Sequence, residues 1–324
     1  MKSIKQVLAA VLCACSLGAA AESGTYPVKP ITLVIPYPIT GAVDVLGRQL
    51  ADKMATLLDQ TIVVENRPGA GATLAAAYVA AAPPDGYTLI LGGTASHVSA
   101  PLLYSHLPYD PVKSFEPVGM VSDSPHLLAL GANTKATNLR ELIAELKAKG
   151  ANARFGSTGN GTMSHLAGEQ FKRTFGLPAM VHVPYEGGPP TAKALVHGDI
   201  DMAIINFPDA IPLVKTGRMR VLATTGAQRS PVFPKLPTVD EAGLGNYEAT
   251  TWVGLYAPAG TPAPVVKKLT EALAAALRDE DLQRKLRVPG HEPIYRAPKP
   301  FAEFVQEQSR QLQPLIREAH ISVN

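Results

Sequence analysis

Ile31-Thr-Leu-Val-Ile35, then Pro36-Tyr-Pro-Ile-Thr-Gly41, then a helical run through Asp44, Leu46, Leu50 and Met54 form the stretch that decides the fold. An apolar strand passes through a glycine-and-hydroxyl loop into a helix whose apolar residues recur every fourth position. The same design returns further along: Ala153-Arg-Phe155, the loop Gly156-Ser-Thr-Gly-Asn-Gly161, and a helix through His165, Leu166, Gln170 and Phe171. Each loop brings backbone N–H groups to a helix N-terminus, where the helix dipole favours an anion or a carbonyl oxygen. Two such loops in two halves predict a ligand held between two lobes.

Strand and helix alternate through most of the chain, the pattern of parallel sheets covered on both faces. Thr61-Ile-Val-Val64 leads into Glu65-Asn-Arg-Pro-Gly-Ala-Gly71, an alanine-rich helix to Ala82, a Pro83-Pro-Asp-Gly86 turn and the strand Tyr87-Thr-Leu-Ile-Leu91. The second half repeats the order with Met180-Val-His-Val183, Pro184-Tyr-Glu-Gly-Gly188, a helix through Ala192 to Val196, a Gly198-Asp199 turn and the strand Ile200 to Ile205. Val118 to Met120, Leu127 to Leu130 and Glu248 to Ala257 read as extended crossing segments. A helix opening at Thr261-Pro262 and a last one from Pro300 to about Ala319 complete the first lobe. The expected class is therefore α/β, with two lobes that are each a mostly parallel sheet flanked by helices, and a ligand cleft between them. Residues 22–124 with 250–324 make a discontinuous lobe 1, and residues 125–249 make lobe 2.

The N-terminus carries Lys2 and Lys5, an apolar run from Val7 to Leu17 and Ala19-Ala-Ala21, a secretory signal peptide over residues 1–21. Cleavage after Ala21 exports the chain to the periplasm. The alternative is lipidation at Cys15, since Leu12-Cys-Ala-Cys15 loosely matches a lipoprotein box. Both cysteines precede Glu22, so the folded part has no disulfide or catalytic thiol to offer. Without Lys2 and Lys5 the 30 basic residues fall to 28 against 27 acids, and a chain so nearly neutral does not present a nucleic-acid surface.

Catalytic motifs are absent: Gly156-Ser157-Thr158-Gly159 lacks the nucleophile-elbow spacing, and Leu74 stands where a dinucleotide fingerprint after Gly69-Ala-Gly71 needs glycine or alanine. His165 and Glu169 share a helix face, but no third ligand follows, so the pair reads as a helix-face contact or loop anchor and not as a metal site. No cofactor is expected. The binding candidates each keep a plainer alternative. Asp44 satisfies first-turn N–H groups, braces the ligand loop or meets a donor on the ligand. Ser157, Thr158 and Thr162 are turn and cap residues or ligand contacts, with Gly159 and Asn160 between them. Thr94, Ser96 and His97 follow the C-terminal end of a strand, where open α/β sheets bind ligands. Tyr185, beside Gly187, stacks on a ligand or fills the cleft wall, and Asn206 is placed likewise after Ile205.

At these residues the chain resembles the periplasmic substrate-binding receptors of tripartite tricarboxylate transporters, often called Bug proteins. The resemblance rests on the Pro-aromatic-Pro loop leading to Gly41 and Asp44, Val63-Val-Glu-Asn-Arg-Pro-Gly-Ala-Gly71, Pro84-Asp-Gly-Tyr-Thr-Leu89 and Gly156-Ser-Thr-Gly-Asn-Gly161 with His165-Leu166. It continues through Val183-Pro-Tyr185 with Gly187-Gly188, Pro237-Thr238 with Glu241-Ala-Gly243, and Trp252-Val-Gly-Leu255 before Pro258-Ala-Gly-Thr-Pro262. It implies a two-lobed periplasmic binding fold, type II-like, that closes on a small carboxylate or related amide. Backbone N–H groups of Tyr37, Thr40, Gly41 and Ala42 on one side, and of Ser157 to Gly161 on the other, would hold the carboxyl group. The implied partner is a membrane permease of the tripartite tricarboxylate type, served by a monomer; a two-component sensor kinase is the alternative partner. Thr40 and Ile39 depart from the glycine-rich first loop of the family, and Glu186 replaces a frequent lysine. An exported serine hydrolase, prompted by Ser157 close to His165, is the competing class.

Overall fold

The computed structural model describes residues 26–243, 247–287, 290–319 and 321. The leader expected over 1–21, with its Cys15 alternative, lies outside them. Among the described residues no helix is long and apolar enough to cross a membrane.

The chain opens with strand β1 (Ile31–Ile35), helix α1 (Ala42–Leu58), β2 (Ile62–Asn66), α2 (Thr73–Ala80) and β3 (Thr88–Gly93). A π-helical turn, Ala95–Ser99, runs into the short α3 (Ala100–Leu103). Strands β4 (Phe115–Pro125) and β5 (Leu127–Leu130) are separated by His126 alone. Then come α4 (Leu139–Lys149), β6 (Arg154–Ser157), α5 (Met163–Phe175), β7 (Val181–Pro184), α6 (Gly188–His197), β8 (Met202–Ile205), α7 (Phe207–Lys215) and β9 (Arg220–Thr224). The chain ends with β10 (Thr250–Pro258), α8 (Ala263–Arg278), α9 (Glu280–Arg287), β11 (Glu292–Arg296) and α10 (Pro298–Glu318).

These strands form two sheets, ordered β11-β4-β10-β3-β1-β2 and β7-β6-β8-β5-β9. In the first, β1 lies parallel between β2 and β3; in the second, β6 lies parallel between β7 and β8. A strand arriving from the other sheet then pairs antiparallel with the third member, β10 against β3 and β5 against β8. The sheets are therefore mixed, where the alternating pattern predicted mostly parallel ones. Helix-linked units supply the parallel strands, and the crossing segments run back against them.

Burial follows the pleat. Ile31, Leu33 and Ile35 enter one core with Leu46, Leu50 and Met54 of α1 and Leu269, Leu273 and Leu277 of α8. Val34 points the other way, into a core shared with α2 and with Phe301, Val305, Leu312 and Ile316 of α10. The second sheet repeats this on β5: Leu128 and Leu130 meet α4 and α5, while Leu127 and Ala129 meet α6 and α7. Strands buried on both faces read as continuous apolar runs, which is why they were legible as such.

The two passages between the sheets lie side by side, with Pro125 opposite Thr250. Around them is a buried polar knot. His126 N–H donates to Thr225 Oγ1 (2.8 Å), Thr225 N–H to His126 O (3.0 Å), and Ala249 N–H to Thr225 O (3.0 Å). The Thr225 hydroxyl donates to Ala249 O (2.6 Å), and His126 Nδ1 lies 3.1 Å from that same oxygen. A carbonyl cannot donate, so Nδ1 carries the proton and His126 leaves Nε2 as an acceptor, 3.3 Å from Thr251 Oγ1.

Helix α10 docks on β10 largely through the ring of Phe301. Phe301 is fully buried, edge-on to Trp252 at 5.2 Å and tilted on Tyr256 at 5.2 Å. It lies so close to Gly254 that a Cβ there would meet Phe301 Cζ at 2.2 Å. Phe301→Ala removes that contact and leaves a cavity, with an expected cost of about 3–5 kcal/mol in urea-induced unfolding. A loss below about 1 kcal/mol would mean that α10 does not depend on this ring.

Candidate functional site

A cavity of about 440 Å³ lies between loops of the two sheets. The first sheet contributes Pro36, Tyr37 and Pro38 after β1, Gly69 to Ala72 after β2 (Ala70 excepted), and Thr94 and Ala95 after β3. Ser99, Ala100, Leu103 and Tyr104 extend this wall. The second sheet contributes Thr158, Asn160 and Gly161 after β6, Thr162 to Ser164 at the start of α5, and Asn206 after β8. His126 and Thr251 of the crossing passages form the floor. Helical segments begin on both walls: Ala72 is the N-cap of α2, Thr162 of α5 and Asn206 of α7. The Thr162 hydroxyl accepts from His165 N–H, leaving the N–H groups of Met163 and Ser164 without partners inside the helix.

Among the described residues the lining includes no Lys, Arg, Asp or Glu. Its histidine is neutral: burial pushes His126 down to about 4, against a partial rise from its contacts with Ala249 and Asn206. Burial pushes the Tyr37 phenol up to about 12. A charge placed here meets oriented dipoles and neutral donors only.

Of the residues singled out in the sequence, Tyr37, Thr94, Thr158, Asn160, Thr162 and Asn206 are brought together on this cavity. Thr94 Oγ1 accepts from Trp252 N–H (3.1 Å), and Thr158 and Thr162 share a hydroxyl contact of 3.1 Å. The others stand behind the walls. Ser96 and His97 belong to the core: the imidazole stacks on Tyr256 at 4.1 Å beside Phe115, and Ser96 Oγ accepts from Gly93 N–H (3.1 Å). The helical turn after β3 rotates these side chains away from the cleft and leaves Thr94 and Ala95 facing it. Tyr185 and Gly187 donate their N–H groups to Ser157 O and Thr158 O (3.0 and 3.2 Å), backing the second loop from outside. Glu186 is exposed and off the cavity.

The second loop is held from below. Ser157 is fully buried, its Oγ 2.7 Å from His182 Nε2 and accepting from Gly159 N–H (3.2 Å). Gly159 reaches φ 134°, a conformation that favours glycine. His165 lies off the cavity and takes the Gly161 N–H on Nδ1 (3.1 Å), its ring stacked on His182 at 3.7 Å. Burial, His182 and Lys172 push His165 down to about 3, so it is a neutral loop anchor. The partner of Ser157 is thus His182, and the pairing with His165 that prompted a hydrolase reading does not form.

Thr40, Gly41 and Ala42 are also displaced from the wall. Thr40 N–H donates to Asp44 Oδ2 (2.9 Å) and Gly41 N–H to Pro38 O (3.2 Å), so these groups are spent within the loop. Asp44, 2 % exposed, also accepts from Arg48 Nε (3.1 Å) and Asn66 Nδ2 (2.8 Å). Desolvation pushes its carboxyl up, but the hydrogen bonds from Arg48, Asn66 and Thr40 outweigh this and hold it below the usual range. The brace matters because Thr40 sits at φ 69°, and Ala70 and Ala72 across the way at 44° and 75°. Each such residue costs on the order of 1 kcal/mol, strain that surrounding contacts must hold in place.

The cavity includes residues that local reading missed. Gly69 and Gly71 read in the sequence as an incomplete dinucleotide fingerprint and a family landmark and not as site residues, although a glycine pair after a strand is a fair signal of close approach to a ligand. Leu103, Tyr104, His126, Met163 and Thr251 carry no local signal; only the fold delivers them.

Residues 46–321 match the model of the tripartite tricarboxylate transporter family receptor. The chain is 30% identical over 319 residues to the protein BugT of Bordetella pertussis, covering 98% of each. It is 33% identical to the solved structure of R. palustris Rpa4515 with adipate, covering 92% of this chain and 99% of that one at a TM-score of 0.78. MatC from Rhodopseudomonas palustris with bound malate is 34% identical, covering 90% of this chain and 100% of that one at a TM-score of 0.73.

Asp44→Asn tests the brace. A carboxyl depressed in the fold contributes stability above its unfolded value, about 3.9, and loses it as pH falls through the folded value. The stability gap between wild type and variant should be about 1–3 kcal/mol near neutral pH. It should narrow below about pH 4 in chemical unfolding titrations. A gap unchanged through the acid range would show that the brace does not depend on ionisation.

Proposed function

Because the chain belongs to the tripartite tricarboxylate transporter receptor family, we propose that it is an extracytoplasmic solute receptor. It captures a small organic molecule, a carboxylate or related amide, in the cavity between the two sheets and delivers it to a tripartite-type membrane permease. The observation that carries this reading is the cavity itself: helix N-termini of the second sheet and neutral donors of both sheets converge on it, with no charged side chain in its lining among the described residues. Such a site suits an oxyanion, which fixed dipoles stabilise without a salt bridge. Adipate and malate in two similar structures support a carboxylate ligand.

Residues 22–124 with 250–324 then form one lobe and residues 125–249 the other, each around its own sheet. The lobes close about the adjacent passages at Pro125–His126 and Ala249–Thr250, a hinge of few residues. Backbone N–H groups of the second loop and the first turn of α5 take the carboxyl group. Capture from the periplasm after export, with the leader removed, completes the role.

The test is a thermal-shift screen of refolded protein against mono-, di- and tricarboxylates, amino acids and amides. At about a thousandfold excess over Kd a true ligand stabilises by roughly 4 kcal/mol. Small-angle scattering should show compaction with the same ligand. Ala95→Trp, which fills the cavity from the first wall, should keep the unliganded melting temperature and abolish the shift. A shift that survives in Ala95→Trp would place binding elsewhere.

A further inference from the structure

The two walls of the cavity differ in chemistry. The first-sheet wall is largely apolar, with Pro36, Pro38, Ala72, Ala100, Leu103 and Tyr104. Leu103 is 7% exposed and belongs to the core behind it, while Tyr104 lies across Gly71, its hydroxyl 3.4 Å from where a Cβ would stand. The hydroxyls of this wall, on Thr94, Ser99 and Tyr104, are neutral, and Thr94 Oγ1 already accepts from Trp252 N–H. The second-sheet wall is polar, with Thr158, Asn160, Thr162, Ser164 and Asn206 broken only by Met163. It also carries the N-terminus of α5, thirteen residues long, and that of α7. The N-terminus of α2 reaches the first-sheet wall at Ala72, but the N–H groups of Ala72 and Thr73 are already given to Gly69 O and Ala70 O.

We propose that the cavity selects a solute with a single carboxylate and an apolar body, the carboxylate on the second-sheet wall and the body against the first. This rests on the receptor reading and narrows it. One negative charge meets the helix termini and side-chain donors of the polar wall. A second carboxylate on the same ligand would have to leave water against proline, leucine and tyrosine with no cation to meet it, and burying an unpaired charge is costly. An alkyl or aromatic body in that place gains from leaving water instead.

Hexanoate and adipate make the deciding pair, since they share a six-carbon chain and differ in one carboxylate; benzoate and terephthalate repeat the comparison with a ring. Isothermal titration calorimetry on protein made from the full chain, unfolded and refolded to strip carried-over solute, should give the monoacid of a pair at least about tenfold tighter binding. Adipate and terephthalate binding as tightly as their monoacid partners, or more tightly, would overturn the proposal. Tyr104→Lys adds a cation to the apolar wall and should move the hexanoate-to-adipate ratio about tenfold toward adipate; an unchanged ratio counts against the proposal. If the whole screen of acids, amino acids and amides yields no ligand, the receptor reading falls together with this one. If diacids bind and compact the protein, only the selectivity falls.

Discussion

The structure depends on one constraint: the chain passes between its two sheets along neighbouring antiparallel strands. Pro125 faces Thr250 across this junction, and Thr225 ties His126 to Ala249 through both its backbone and its hydroxyl. Buried polar groups of this kind are costly unless every partner is present, so the knot ties the two passages to each other. It also determines what the cavity floor can offer. Nδ1 of His126 is committed to Ala249 O, which leaves a neutral ring with an acceptor nitrogen and, beside it, the Thr251 hydroxyl.

Above that floor, the described lining carries no formal charge. Helix N-termini supply partial positive charge at fixed positions, with no long flexible side chain to immobilise when a ligand binds. The arrangement is one-sided: polar atoms crowd the wall of the second sheet, and proline, leucine and tyrosine line the first. On the proposed reading, orientation of a bound molecule follows from where water is least costly to displace.

A second group of residues makes the loops without touching the cavity. Asp44 holds Thr40 at its positive φ, Ser157 and His182 support Gly159, and His165 takes the Gly161 N–H. Each uses a buried polar contact to keep a loop in a conformation its own sequence would not hold. The imidazoles in this group are neutral because burial and the nearby Lys172 disfavour their protonation. Loop shape is thereby separated from loop chemistry, and Thr158 and Asn160 are left to line the cavity.

Much of the fold was legible in the chain itself. The strand–loop–helix units around Ile31–Ile35 and Arg154–Ser157, the apolar seam of α1, and the family were all readable, because hydrophobic periodicity and glycine placement act locally. Half-legible were the site loops: Thr158, Asn160, Thr162 and Asn206 line the cavity, while Ser96, His97, His165 and Tyr185 were named for it and lie behind it. A residue's position after a strand is a local property, but the direction of its side chain depends on the turn that follows. Helix α4 carries its own local signal, the Asn138 cap and Leu139, Leu142 and Leu146 on one face, whereas the antiparallel crossings and the contributions of Leu103, Tyr104, His126 and Thr251 came only from tertiary structure. Those residues meet because distant strands pair in one register, and pairing between segments far apart in sequence leaves no periodic mark on either one.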